Sequence, residues 1–222
     1  MTVLPFRRPD DRDLLDRVRL RRLMALTSGR PEVTVGLIDG PASAVPTICP
    51  GCTLVSRPVA FTQSQGMPAA SPTELAFALL ECLIAGVWIA QLNVGVLDED
   101  ERGCRALART LGRAERQGVL VVAAADTRRN TVVTKHPWVI PMVALERVGS
   151  DAGIAAAFVT GTLALLASLF PQAGAAELRA TVDPPPTPGA IRPATPLLDA
   201  QAAYRRLQGA TVFRASRSLV NR

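Results

Sequence analysis

Asp39 closes an almost continuous β-branched run, Val33-Thr-Val-Gly-Leu-Ile38, and is followed by Gly40-Pro41. A buried strand that delivers a carboxylate into a turn is a placement that a catalytic or orienting acid uses. An acid alone does little: nucleophilic catalysis also needs a nucleophile, a base within hydrogen-bond reach and a donor for the developing oxyanion. His136 is the one histidine in the chain and lies far from Asp39 in sequence, just ahead of Pro137-Trp138. That position reads as a strand-end histidine. A second acid, Asp126, follows another apolar run, but an aspartic dyad would need both carboxylates on one water. Ser150 and Thr160 carry hydroxyls, yet no base accompanies either in the sequence.

Cys49-Pro-Gly-Cys52 has C-x-x-C spacing. A zinc ribbon would require a second pair, and Cys82 and Cys104 are single residues in helical patterns. A thioredoxin-like motif would sit at a helix N-terminus, whereas Pro50-Gly51 followed by Thr-Leu-Val-Ser reads as a turn into a strand. No metal or cofactor is implied. A nucleotide is not favoured either: Gly36 lies inside a strand pattern and Gly40-Pro41 cannot cradle a phosphate.

These residues must be positioned by regular elements. Residues 10–28 pattern as one amphipathic helix with Leu14, Leu15, Val18, Leu23, Met24 and Leu26 on one side, ended by Gly29-Arg-Pro. Thr53–Ala60 is a second strand, followed by a polar loop. Ser71-Pro72-Thr73-Glu74 opens a helix that runs to about Ala85, with Ser71 as N-cap and Glu74 completing a capping box. Trp88–Val94 is a strand and Asp98–Gln117 a helix closed by Gly118. Val119–Ala125 and Trp138–Leu145 are strands. Ala152–Phe170 is apolar nearly all round, as a helix crossing a core should be. Asp183–Gly189 is a stiff Pro-rich linker, Leu197–Leu207 a short amphipathic helix, and the last dozen residues a loose basic tail. Strands alternating with helices imply an α/β fold with a mostly parallel sheet of five or six strands covered on both faces. The chain divides as an N-terminal helix (1–30), a core domain (31–182) and a C-terminal linker, helix and tail (183–222).

Length and composition agree with a folded domain, since 222 residues can bury a sizeable core and only 20% are charged. The formal charge of +6 comes largely from Arg at both ends, Arg7–Arg30 and Arg205–Arg222. With nine aromatics and no basic stripe interleaved with them of the kind single-strand binders use, nucleic acid is not an expected partner. The apolar stretches Leu75–Ala90 and Ile154–Phe170 fall short of the roughly 20 residues a membrane span needs. Met1–Arg30 has no signal-peptide core, so a cytoplasmic location is the default.

Five segments, in order, resemble subtilisin-like serine proteases, and among them the peptidases that mature cyanobactin-type ribosomal peptides. They are Val33–Gly40; Ile48-Cys-Pro-Gly-Cys-Thr-Leu-Val-Ser-Arg57-Pro58 through Gly95; Gly118–Ala125 with His136–Ala144; Ala155-Ala-Ala-Phe-Val-Thr-Gly161; and Leu197–Tyr204. The resemblance implies a subtilisin-like three-layer sandwich, trimmed by deletions. It makes Asp39 the relic of the catalytic Asp and places Gly153 where the nucleophilic Ser belongs. Thr127, beside Asp126, falls where the oxyanion Asn belongs. The His-bearing segment has no counterpart, because Ile48 comes nine positions after Asp39. A second shortening lies between Ala144 and Ala152.

What the resemblance leaves intact is the substrate-binding strand, matched by Gln91-Leu-Asn93-Val94-Gly95, with Asn93 in place of Ser. An extended peptide can add to such an edge through backbone hydrogen bonds alone. The expected function is therefore that of a non-catalytic pseudoprotease. It binds a precursor peptide or a partner protease or biosynthetic protein in ribosomal-peptide maturation (RiPP biosynthesis). The alternative is a protease subunit completed in trans by a partner that supplies the His and Ser; homo- or hetero-oligomerisation stays open. Orphaned from a histidine, Asp39 would take its hydrogen bonds from the Gly40–Ser43 turn or from Arg57. The basic ends and the N-terminal amphipathic helix are the expected docking surfaces.

Overall fold

In a computed structural model, described over residues 9–38, 44–64, 67–97, 100–125, 131–143, 152–182 and 198–220, the chain alternates short strands with helices. Five strands form the main sheet: β1 (Thr34–Ile38), β2 (Thr53–Arg57), β5 (Ile89–Leu92), β7 (Leu120–Ala125) and β8 (Val139–Val143). Their order is β2-β1-β5-β7-β8, and every neighbouring pair is parallel. The Val/Ile/Leu/Ala runs seen in the sequence are the inner strands, buried on both faces as parallel strands must be.

The segment 61–70, which the sequence presents as a polar loop, instead contains β3 (Thr62–Ser64) and β4 (Met67–Ala70). They pair antiparallel with each other, and β4 pairs parallel with β6 (Gly95–Val96), making a small second sheet. Strands of three or four residues carry too little periodicity to stand out; they exist because β6 and each other satisfy their backbone groups.

Helices cover both faces. On one, α4 (Pro72–Ile84) and α5 (Glu101–Gln117) pack over Ile38, Ala90, Leu92, Val121 and Ala123. The α4 start is as the sequence implies, with Ser71 Oγ accepting from the Glu74 N–H at 3.2 Å. The Glu74 carboxylate, however, accepts from the Ser71 hydroxyl at 3.0 Å, so the box closes side chain to side chain. Gly118 ends α5 in the left-handed conformation, with φ 69°. A single turn, α6 (Val132–Lys135), leads into β8.

On the other face α7 (Ala152–Leu169) runs through the core, with every residue from Ala155 to Ser168 buried. Its apolar surface is covered by α1 (Pro9–Arg17), α2 (Leu20–Met24), the single turn α3 (Val45–Ile48), α8 (Ala175–Val182) and α9 (Ala200–Val220). The three-layer α/β/α arrangement expected from the sequence is the one observed.

Two terminal expectations need correction. Residues 10–28 are two helices, broken where Arg19 adopts φ 55°. The break has a tertiary cause: the Ala200 N–H donates to the Val18 carbonyl at 3.0 Å, and Arg19 pairs with Asp199 at 3.1 Å. The terminal helix does not stop at Leu207 with a loose tail beyond it, but continues to Val220. Leu14, Leu15, Val18, Leu20 and Leu23 share one buried cluster with Ala200, Ala203 and Leu207, so the apolar face of the N-terminal segment is occupied and is not a docking surface. The linker at 183–189 lies outside the described residues.

Candidate functional site

In an open parallel sheet, ligands bind beyond the carboxyl ends of the strands, at the point where strand order reverses. Here the chain passes from β1 outward to β2, then returns to the other side of β1 as β5. The reversal therefore lies between the carboxyl ends of β1 and β5, at Ile38 and Leu92, which are register partners. The residues that follow them are Asp39 and Asn93. Asn93, within the Gln91–Gly95 segment, thus lies at this crevice.

Asp39 itself lies outside the described residues, as do Asp126, Thr127 and Ser150. Asn93 is well defined: its N–H donates to the Ile38 carbonyl at 3.1 Å, and its side-chain Oδ1 accepts from Gln91 Nε2. Val94 is buried in the α4/α5 side of the core. Gly95 begins β6 and pairs with Ala69 of β4, so one edge of the Asn93–Gly95 segment is already occupied. β6 is the terminal strand of the small sheet, and its other edge has no strand partner among the described residues.

Gly153 sits in the first turn of α7, half-buried. The far end of α7 is fixed by the Arg30 N–H, which donates to Ser168 Oγ at 3.1 Å close to the entry of β1. At 1.5 Å rise per residue, the fifteen residues between them put Gly153 about 22 Å away, toward the carboxyl edge of the sheet. The α7 N-terminus and its partial positive charge thus lie at the same edge as Asn93.

His136 is at the opposite edge. It caps α6 and precedes β8, whose first residue, Val139, pairs with Val121 near the start of β7. Four residues of β-strand, about 13 Å, separate that level from the carboxyl end. One ring nitrogen is engaged, Nδ1 accepting the Trp138 N–H at 3.3 Å, and the backbone is held by the His136 carbonyl accepting from Val139 at 3.1 Å. Thr160 fares no better as a nucleophile: it lies two turns inside α7 and is completely buried.

Arg57, weighed as a donor to Asp39, makes other contacts. Its Nε pairs with Glu81 of α4 at 3.4 Å and its Nη1 donates to the Ser56 carbonyl at 2.9 Å. Sequence reasoning missed Gln91 as an individual residue. It is fully buried between Leu37 and Val122, and its Oε1 has no hydrogen-bond partner among the described residues. A polar residue in the middle of a buried strand is the signal that could have singled it out. A cavity of about 520 Å³ opens at the amino ends of β5 and β7, around Trp88, Gly118 and Leu178, on the far side of the sheet from the crevice.

Solved structures with the same fold were found, although no family model matches the chain and no curated protein matches it significantly. The prenylagaramide maturation protease PagA superposes with a TM-score of 0.67 at 16% identity, covering 86% of this chain and 98% of that one. A mutant of the protease domain of PatA gives 0.64 at 17%, covering 82% and 97%. The PatG macrocyclase in complex with peptide gives 0.62 at 16%, covering 87% and 97%. The chain therefore has the subtilisin-like fold of these cyanobactin maturation proteases, as the ordered segments of its sequence imply.

Proposed function

We propose that this protein binds an extended peptide, in ribosomal-peptide maturation, without cleaving it. The observation that carries the reading is the separation of parts. Asn93 and Gly153 lie at the carboxyl edge of the sheet, while the chain's one histidine is fixed at the amino edge. A serine protease requires base and nucleophile in contact, and the position matching the nucleophile is a glycine without a side chain. The peptide half of the reading draws on the edge of β6 that has no strand partner among the described residues, and on the fold shared with a macrocyclase solved with peptide bound. The partner is a precursor peptide or a protein that presents one.

The test is a titration of the full chain with precursor-type peptides followed by backbone amide NMR, together with a fluorogenic peptide panel. Saturable shifts centred on Asn93, Val94 and Gly95 with no turnover support the proposal. Turnover that co-purifies with the protein and is lost in Asp39→Asn overturns it.

A further inference from the structure

The link between α3 and β2 is the four-residue turn Cys49-Pro50-Gly51-Cys52, in which the Cys52 N–H donates to the Cys49 carbonyl at 3.1 Å. A bond of that span holds the two Cα atoms within about 7 Å. Disulfides need a Cα separation of about 4.4–6.8 Å, so the two cysteines are already in the right range. The sequence shows a turn entering a strand, and the turn is present. What the sequence does not show is the surface against which it is packed.

That surface is the Ser28-Gly29-Arg30 segment. The Gly51 N–H donates to the Ser28 carbonyl at 2.8 Å, and a Cβ placed on Gly51 would stand 2.8 Å from the Gly29 oxygen. A Cβ placed on Gly29 would lie 2.5 Å from Cys52 Sγ and 3.4 Å from Cys49 Cβ. Both cysteine side chains thus converge on one backbone position that only glycine can occupy. Both are free thiols; Cys49 is completely buried, and Cys52 keeps 9% of its surface exposed.

Three polar groups near the Cys52 sulfur favour its thiolate: the Cys49 thiol, the Arg30 N–H and the Ser168 hydroxyl. In the structure these groups donate elsewhere: the Cys49 thiol to the Val45 carbonyl at 3.5 Å, the Arg30 N–H to Ser168 Oγ at 3.1 Å and the Ser168 hydroxyl to the Ala164 carbonyl at 2.8 Å. Led by the Cys49 hydrogen bond, they outweigh burial and bring the Cys52 thiol down to about 7. The same bond, with burial, pushes Cys49 up. One sulfur is set up to ionise and its neighbour to hold its proton, the division of labour between an attacking and a resolving thiol.

We propose that Cys49 and Cys52 are a redox-active dithiol that closes reversibly to an intramolecular disulfide, with hydrogen peroxide as oxidant and a small thiol as reductant. The Cys52 thiolate attacks one peroxide oxygen; the S–O bond forms as the O–O bond breaks, and the departing hydroxide takes a proton to become water. Cys49 sulfur then attacks the sulfenic Cys52 sulfur. The S–S bond forms, the S–O bond breaks, and the hydroxide leaves with the Cys49 proton as a second water. The two sulfurs together lose two electrons, and peroxide gains them. Two equivalents of small thiol reverse the change and become a disulfide. The pair lies at the amino end of β2, away from Asn93, so the proposal stands or falls independently of peptide binding.

The test is peroxide treatment of the full chain, blocking with iodoacetamide, and intact-mass and peptide mapping. The expected product has lost the mass of two hydrogens, carries a crosslink within the 49–52 peptide, and returns to free thiols with dithiothreitol. In Cys49→Ser the reaction stops at a Cys52 sulfenic acid, captured by dimedone. The proposal is overturned if oxidation falls on Cys104 or Cys82 while Cys49 and Cys52 are recovered as free thiols. It is equally overturned if Cys52 advances to sulfinic acid in the wild-type chain without a crosslink. The wild-type mapping decides the matter even if the serine variant fails to fold.

Discussion

The Asn93 N–H donates to the Ile38 carbonyl at 3.1 Å, joining the ends of β5 and β1 across the point where strand order reverses. The bond comes from the backbone, so it survives replacement of the Asn93 side chain. What that side chain adds is its acceptance from Gln91 Nε2, which gives the buried amide its one partner among the described residues. Asn93→Ala is therefore expected to leave Gln91 wholly unpartnered and to cost about 1–3 kcal/mol. The double replacement Asn93→Ala with Gln91→Leu should recover part of that loss, because it removes the orphaned amide. Urea unfolding of the two variants measures the difference; equal stabilities would show that Gln91 finds another partner.

His136→Ala tests the separation of parts. The imidazole accepts one backbone N–H at 3.3 Å and is half-buried, so its removal should cost about 1 kcal/mol in thermal or urea unfolding. Peptide affinity should be unchanged, and no proteolytic signal in the fluorogenic panel should depend on it. A loss of peptide turnover in this variant would place the histidine in a catalytic role that its position at the amino edge of the sheet does not support.

Much of this fold is legible in the sequence because the signals are local. β1 and β7 are nearly continuous apolar runs, α4 is announced by Ser71 and Pro72, and α7 is apolar nearly all round because its sides are covered. The parts that were not legible depend on distant partners. Nothing around Val18 announces a helix break, since the group that captures its carbonyl is Ala200. Nothing in 62–70 reads as strand until Gly95–Val96 supplies the neighbouring ladder. At the site, the positions of Asn93 and Gly153 follow from ordered segments, but the seclusion of Thr160 and the pairing of Arg57 with Glu81 are packing outcomes.

Asp199 illustrates how a distant contact can be apportioned. Its Oδ1 accepts the Ala202 N–H at 2.9 Å as the cap of α9, and its Oδ2 pairs with Arg19 at 3.1 Å. Exposed ion pairs contribute about 0–1 kcal/mol, whereas loss of an N-cap costs about 1 kcal/mol. Asp199→Ala should thus lose about 1–2 kcal/mol and Arg19→Ala less than 1. In a double-mutant cycle the coupling should fall below about 1 kcal/mol and shrink further in high salt. A coupling as large as the whole Asp199→Ala effect would make the ion pair, and not the cap, the dominant contribution.

The acidity of Cys52 carries a pH dependence with a definite sign. Its thiol ionises near 7 in the folded chain, against 9.0 without these surroundings, so folding favours the thiolate. That contribution is fully present above about 9 and is lost as pH falls through about 7, so between those values stability rises with pH on account of this group. The urea midpoint of the wild type relative to Cys52→Ser should increase across this window. Alkylation of Cys52 by iodoacetamide should rise with a midpoint near 7, well below the 9.0 of an unperturbed thiol. A Cys52 midpoint at the ordinary thiol value would mean that the donors from Cys49, Arg30 and Ser168 do not hold a thiolate.

Gly161 meets Ile48 where α7 crosses α3: a Cβ built on it would stand 2.4 Å from Ile48 Cγ2 and 2.9 Å from Cβ. Alanine is ordinarily the better helix former by about 1 kcal/mol, and that gain applies at any interior helical glycine. Here it is opposed by overlap with a fully buried β-branched side chain, which cannot turn away without disturbing the core. Overpacking of that kind costs about 1–3 kcal/mol, so Gly161→Ala should be net destabilising. Gly112, in the middle of α5, provides the control. The nearest atom to its Cβ would be Arg116 Nη1 at 3.5 Å, the far end of a flexible side chain. Gly112→Ala should accordingly stabilise the protein by about 0.5–1 kcal/mol. Opposite signs for two chemically identical substitutions, read from urea midpoints, would confirm that close approach of α3 to α7 is what requires glycine at 161; equal and positive effects would show that Ile48 can yield.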